Sequence, residues 1–314
     1  MTQKNTASGR LSLIIAAIAL MALVATALPV VLSAHANRAY AAELSVATIS
    51  DATAQSERPS PMKTNASSAV KMSGAYKYKV NADKTVTIIK YVGSKDVKSL
   101  IIPKRLGGKR VTIIGKGAFQ GLEKLRKVTI PKGVTRVKAG AFNGCWNVRY
   151  LKLPSTLKRV DDYAFHGCQV KNLKLPDKLA KIGGQPFAYT QCVTLPKSFK
   201  TFDWSWFASG DGTCTLSSIK MAKGNKHFSF QNGILYNKNK TSIVYHLVID
   251  RRTSFKVPNS VRTICDGAFS WSFGLQRITL GKNVTSIGSG AFMGTRTGEE
   301  FAIPASAPTR SGSS

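Results

Sequence analysis

Carboxylates are the first shortage in this chain. Its 314 residues hold 15 Asp and Glu against 46 Lys and Arg, a formal net charge of +31. The segment 1–72 accounts for six of the basic and three of the acidic side chains, which leaves 40 and 12, net +28, for the remainder. A charge of this size favours association with polyanions and costs some self-repulsion. Histidine is scarcer still. The four histidines are scattered and no Cys-x-x-C accompanies them, so a zinc site is not expected. Also missing are G-x-S-x-G, H-E-x-x-H, an HxH cluster and a Gly-rich phosphate loop closing on Gly-Lys-Ser/Thr. Catalysis needs a nucleophile or acid held beside a base in a pocket. The sequence therefore reads as non-enzymatic, with no cofactor and no specific nucleic-acid motif.

What is present is a phrase that returns. Ala118-Phe119, Ala141-Phe142, Ala164-Phe165, Pro186-Phe187, Trp206-Phe207, Ala268-Phe269 and Ala291-Phe292 are copies of one element. Phe119, Phe142 and Phe165 are equally spaced, and the same interval separates Phe269 from Phe292. The unit reads V-x-x-[IV]-x-x-x-A-F-x-G-C-x-x-x-x-x-[LIV]-x-[LIV]-P, with residues 134–154 as its best instance. V-x-x-I opens a short extended segment. A-F-x-G-C is a tight corner with an inward Phe. The [LIV]-x-[LIV]-P piece alternates with period two and ends on Pro, which cannot donate to a ladder. A fixed period of this kind is the mark of stacked coils. One coil cannot bury its apolar face alone, but neighbours form a continuous core, with parallel strands about 4.8 Å apart. The expected fold is an α/β repeat solenoid of ~23-residue coils with a parallel β-sheet. Its default function is binding along a regular surface.

The A-F-x-G-C corners at 141–145 and 164–168, with the L-x-L-P strands that follow them, resemble the BspA-like leucine-rich repeats of bacterial surface proteins. Two other passages fit. Residues 76–91 look like the hairpin that precedes the first repeat of that family, and residues 225–245 look like its inserted hairpin. The resemblance covers about 76–304. It implies a leucine-rich-repeat stack with an N-terminal β-hairpin and one inserted β-hairpin at about 225–247. It also implies attachment to host matrix or cell-surface proteins, or to other bacteria. Pro186 and Trp206 depart from the corner alanine, and no Cys follows Phe269 or Phe292 in the corner.

The chain divides further by composition. Lys4 and Arg10 precede an apolar run from Leu11 to Leu32, followed by Ala34-His35-Ala36 and Ala39-Tyr40-Ala41. Residues 1–41 thus read as a Sec-type signal peptide, with an uncleaved anchor as the alternative. Export to the extracellular space or cell surface of a bacterium is expected, with membrane contact only through an uncleaved N-terminal segment. Residues 42–74 read as a flexible Ala/Ser/Thr-rich spacer. Residues 75–304 form the repeat domain, and 305–314 read as a disordered tail without an L-P-x-T-G motif.

Basic residues recur at outward positions of the unit. The middle residue of the L-x-L-P strands reads Thr129, Lys152, Lys174, Thr194, Lys220, Lys256 and Thr279, with Lys127 and Tyr150 two residues earlier in their coils. The outward pair of V-x-x-I includes Arg136, Arg159, Lys181 and Arg262. Stacked in register, these positions make basic stripes. The candidate partner-binding residues are therefore Lys127, Lys152, Lys174, Lys220, Lys256, Arg136, Arg159, Lys181, Arg262 and Tyr150. The partner is a host or bacterial surface protein, or an anionic polymer such as a glycosaminoglycan, teichoic acid or extracellular DNA. The alternative is solvated sheet surface that keeps edges soluble. Corner tryptophans (Trp146, Trp271) add aromatic anchors, while Trp204 and Trp206 read as buried. Cys145, Cys168 and Cys192 read as a column of corner residues, packing as small apolar groups or within disulfide reach. Asp161-Asp162 falls in a turn, where polar residues are ordinary. His166 is the variable residue of its corner, with Gln120 and Asn143 as counterparts, so a Cys-His pair with Cys168 is weak.

Overall fold

The computed structural model describes residues 69–295 and the strand Phe301–Ala302. The signal segment, most of the spacer and the tail lie outside the described residues. Lys71–Ser73, which composition places in the spacer, is a β-strand paired antiparallel with Tyr76–Val80.

Each coil has two strands and a corner. The first-face strands come from V-x-x-I. In order they are Val86–Tyr91, Lys109–Ile114, Arg136–Val137, Arg159–Val160 and Lys181–Ile182, all parallel neighbours. The second-face strands come from [LIV]-x-[LIV]-P. Ser99–Ile101, Lys127–Thr129 and Tyr150–Lys152 form one parallel sheet, and Leu173–Lys174, Cys192–Leu195 and Ser218–Met221 form the next. Alternation sets which side chains go inward: Val128 and Leu151 are buried while Lys127, Tyr150 and Lys152 are exposed. Where a proline closes a second-face strand, it commonly opens a turn. The carbonyls of Pro131, Pro154, Pro176, Pro196 and Pro258 each accept from the N–H three residues on.

The α part of the expected class is absent among the described residues, which contain no α-helix and one 3-10 turn, Trp204–Trp206, capped by Asp203. The reason lies in the corners. Each G-A-F-x-G corner carries two left-handed residues, as at Gly140 (φ 59°) and Gly144 (φ 75°), and a helix cannot run through them. In other coils Tyr163, Gln185, Tyr189 and Trp271 hold the same positive φ without being glycine.

The corner phenylalanines stack. Ring centroids lie 4.8 Å apart for Phe119–Phe142, 5.2 Å for Phe142–Phe165, 5.9 Å for Phe165–Phe187 and 6.1 Å for Phe187–Phe207. The backbone follows them: Phe119 N–H donates to Ala141 O, and Phe142 N–H to Ala164 O. The corners thus form a ladder of their own.

The stack starts twice. In the first start, three antiparallel strands (Lys71–Ser73, Tyr76–Val80, Val86–Tyr91) lead into the parallel first face. In the second, Phe228–Gln231, Ile234–Asn237 and Ser242–His246 do the same and lead into Thr263–Ile264 and Ser286–Ile287. The two hairpin turns share an Asn–Thr bond and a left-handed lysine. Asn81 Nδ2 donates to Thr85 Oγ1 at 2.9 Å, and Asn237 Nδ2 to Thr241 Oγ1 at 2.8 Å. Lys84 and Lys240 hold φ of 62° and 54°. Tyr91 N–H then reaches Ala118 O as His246 N–H reaches Ala268 O. The inserted hairpin expected at about 225–247 is present, and its likeness to the N-terminal hairpin makes it a second cap as well. It opens a second array whose second face is Ser254–Lys256, Arg277–Thr279 and Phe301–Ala302. The buried side chains form two clusters that meet in this hairpin: Phe228, Leu235, Tyr245 and Leu247 join the first array's core, and Ile234, Tyr236 and Ile243 the second's.

A carboxylate ties neighbouring coils together at the end of the first face. Asp162 Oδ1 accepts from Gly184 N–H at 2.8 Å, and Asp266 Oδ1 accepts from Ser289 N–H at 2.8 Å. This is the work of Asp162 that the turn assignment left open. The close approach requires Gly183 and Gly288. A Cβ on Gly183 would sit 2.5 Å from Asp162 N and 2.8 Å from Asp161 C. Gly183→Ala is expected to cost about 1–3 kcal/mol through overpacking. Gly184→Ala, whose nearest neighbour would be 3.9 Å away, should be close to neutral. Denaturation midpoints of the two variants check this.

Candidate binding surfaces

Register sorts the ten candidate residues into groups. On the second face of the first array, Lys127 lies between Ser99 and Tyr150, and Thr129 between Ile101 and Lys152. Lys174, Thr194 and Lys220 form the matching row of the next sheet. The lysine column is therefore real, but threonines interrupt it. Lys152 and Lys174 stand at facing edges of the two sheets, which Lys171 N–H joins by donating to Arg149 O. All four lysines (127, 152, 174, 220) are exposed, and none of these six strands carries a carboxylate. Tyr150 is 53% exposed, and Lys127 Nζ lies 5.1 Å from its ring centroid. That is a cation–π pair, which draws the two exposed side chains together.

The first face differs. Arg136, Arg159 and Lys181 occupy one column on successive rungs. The stripe is not uniformly positive, because Asp161 sits between the arginines. Its Oδ2 accepts from Arg136 Nη2 at 2.7 Å and Nε at 3.1 Å, and its Oδ1 accepts from Arg159 Nε. Burial pushes this carboxyl upward, but the two guanidinium bonds outweigh it and hold it below the ordinary carboxylate range. One carboxylate thus holds both guanidiniums in place and offsets one of their two charges, while Arg159 and Lys181 both stay exposed.

Arg262 and Lys256 belong to the second array. Arg262 precedes Thr263–Ile264, and Lys256 pairs with Thr279. Register does not continue either one from the first-array columns.

Several aromatic assignments change. Trp204 and Trp206, expected to be buried, are half-exposed. Trp204 lies against Gly267, and Trp271 against Gly212 and Gly294, so these rings fasten the segment after the first array to the corners of the second. Trp146, Tyr163, His166 and Tyr189 form an edge-to-face cluster on the corner ridge, with centroids 5.6–6.5 Å apart.

The cysteine column also needs correction. Cys145 Sγ donates to Phe119 O at 3.2 Å and Cys168 Sγ to Phe142 O at 3.6 Å, so both thiols are corner residues. Cys192 is not. It opens the strand Cys192–Leu195, and Thr190 takes the corner position after Phe187. All five cysteines are free thiols in the structure.

Residues 112–241 and 249–313 match the model of the BspA type leucine rich repeat region, in six copies. The chain belongs to this family. Among solved structures, this BspA-type protein is similar to a leucine-rich repeat protein from Eubacterium ventriosum at 26% identity and a TM-score of 0.52. That match covers 72% of this chain and 63% of the other, so the chain spans less than two thirds of that relative. It shares its fold with the pneumococcal vaccine antigen PcpA at 20% identity and a TM-score of 0.53, covering 73% of this chain and 68% of that one. Comparison with curated proteins gave no sequence match. Stacked repeats of this kind present extended surfaces suited to binding.

Proposed function

We propose that the protein is an exported, non-enzymatic binding protein. It adheres to acidic surfaces of host matrix or cell-surface proteins through the second face of its first array. One observation carries the reading: Lys127, Lys152, Lys174 and Lys220 stand exposed on six strands that hold no carboxylate, with Tyr150 among them. Family membership and the signal-like N-terminus support export. Long-range attraction comes from the positive field, and selectivity from Tyr150 and the fixed spacing of the rungs.

The same row favours a second reading, a low-specificity polyanion binder. Lys174 and Lys220 are two rungs apart across Thr194, roughly 10 Å, a spacing that a linear anion can follow. Salt separates the two readings. Purified protein is tested against matrix proteins, heparin, teichoic acid and DNA at low and high ionic strength. The adhesive reading expects saturable binding to one protein that survives high salt and weakens more than tenfold in K152E/K174E/K220E. Binding to polyanions alone, falling steeply with the logarithm of salt, replaces it with the second reading. Binding that the triple variant leaves unchanged rules out this face.

A further inference from the structure

The first face of the first array ends one rung too early. The next coil is still docked at its corner, where Phe187 N–H donates to Trp206 O at 2.9 Å, and on the second face, where Ser218–Met221 pairs with Cys192–Leu195. On the first face it has come away. Residues 200–202 should lie on 180–182 as 180–182 lie on 158–160. There, Ala180 and Lys181 donate to Lys158 O, and Gly183 donates to Val160 O. Among the described residues no backbone hydrogen bond joins 200–202 to 180–182, and the carbonyls of Ala180 and Ile182 accept none from any rung. Phe202 packs instead with Trp206, Phe207 and Tyr245. A cavity of about 420 Å³ remains, lined by Arg159, Asp161, Lys181, Ile182, Gly183 and Trp206.

We propose that this gap takes a strand from a partner protein, an extended peptide in which an acidic residue is followed by an apolar one, and which completes the missing rung. Three features define the occupant. The open carbonyls of Ala180 and Ile182 call for N–H donors at the spacing of a parallel strand. The register Val137–Val160–Ile182 places an apolar side chain on the inner side, against Ile182 and the half-exposed indole of Trp206. The register Arg136–Arg159–Lys181 places the neighbouring side chain outward beside Lys181, where a carboxylate is complementary. The acidic groups near the gap are already engaged. Asp161 is held by Arg136 and Arg159, Asp162 caps Gly184, and Asp203 accepts from Ser205 N–H. None of them opposes an incoming carboxylate freely. The gap is a second recognition element, independent of the second-face row.

The test uses the full chain and a fluorescein-labelled peptide, Val-Thr-Glu-Val flanked by serines, read by polarisation. Protection of amides 180–183 from hydrogen exchange locates the bound peptide. Lys181→Glu is expected to weaken binding at least tenfold. Exchanging the peptide's Glu for Lys should do the same. N-methylation at that residue and at the serine after the second Val, which removes the donors to Ala180 and Ile182, is expected to abolish binding. Lys181 is exposed, so its variant should keep the fold, and circular dichroism checks that. The second-face variant K152E/K174E/K220E should bind the peptide as the parent does, whatever becomes of adhesion. Equal binding by the N-methylated peptide, indifference to Lys181→Glu, protection elsewhere, or no binding at all overturns the proposal. So does protection of 180–183 by a heparin fragment with none by the peptide.

Discussion

Phe142→Ala is expected to lower stability by about 3–5 kcal/mol, the range for an aromatic removed from a core that cannot collapse around the space. Phe142 is fully buried, with stacked rings 4.8 Å away on one side and 5.2 Å on the other. Offset aromatic pairs of this kind contribute about 0.5–1.5 kcal/mol each beyond the area they bury. Its backbone is equally committed: the N–H bonds Ala164 O at 2.7 Å, and the carbonyl accepts from the Cys168 thiol. The coils above and below are held at the ladder spacing by their own strands, so they cannot close in. Neighbour coupling makes the damage local. The denaturation curve should split, with the first array melting early while the stack of Phe269 and Phe292 (5.4 Å apart) keeps its midpoint. Hydrogen exchange resolved by region checks the split. A loss under about 1 kcal/mol would mean that the ladder is not what supports the corners.

The second large effect belongs to His246. It occupies the ladder position that phenylalanine holds elsewhere, with its ring 5.3 Å from Phe269. It is 1% exposed. Nδ1 meets Ser272 Oγ at 2.8 Å, while Nε2 has no hydrogen-bond partner and lies 3.8 Å from Asp250 Oδ2. Burial is the main cause that lowers its pKa, and Arg252 adds to it. Asp250 opposes them but spends itself on Arg252, and the result is about 4 against an ordinary 6.5. At neutral pH the ring is therefore uncharged, and the His246–Asp250 contact is not an ion pair. The unfolded chain takes up the proton first. Stability is full above about pH 6.5 and drains away as pH falls toward 4, by about 3 kcal/mol in all. His246→Phe restores the repeated residue and should remove most of that slope. Melting temperatures of both proteins between pH 7.5 and 4 decide it. A parallel decline in the two would place the acid sensitivity elsewhere.

How much of this is legible in the sequence depends on whether a signal is repeated. The Phe ladder, the strand pairs and the second-face row all follow from a pattern present many times over, and single-residue noise cannot hide it. Features that occur once are harder. Cys192 lies one residue beyond a full repeat from Cys168, close enough to read as a corner residue. The fourth coil, from Phe165 to Phe187, is shorter than the one from Phe142 to Phe165, so Thr190 is the residue that reaches the corner. The stripe of Arg136, Arg159 and Lys181 is correctly aligned by the repeat, yet its charge is overstated. The correcting signal is available, since Arg159 and Asp161 are two apart and therefore lie on the same side of an extended segment. The α in the fold class fails for a readable reason too, because the two glycines of G-A-F-x-G do not belong in a helix. The gap at 180–182 has no such signal. Phe199-Lys-Thr-Phe202 fits the repeat well, and only the packing of Phe202 toward Tyr245 draws it off the sheet.

The second cap also bears on how the chain assembles. Its turn, Asn237 to Thr241, closes a hairpin between residues close in sequence, a contact that forms quickly. Solenoids grow by adding each coil to a finished neighbour, so a coil laid down one register off would ordinarily hand its error to every coil after it. Here the count begins again at residue 228. The second array takes its register from the hairpin, while Phe228, Leu235 and Tyr245 tie that hairpin to the core of the first.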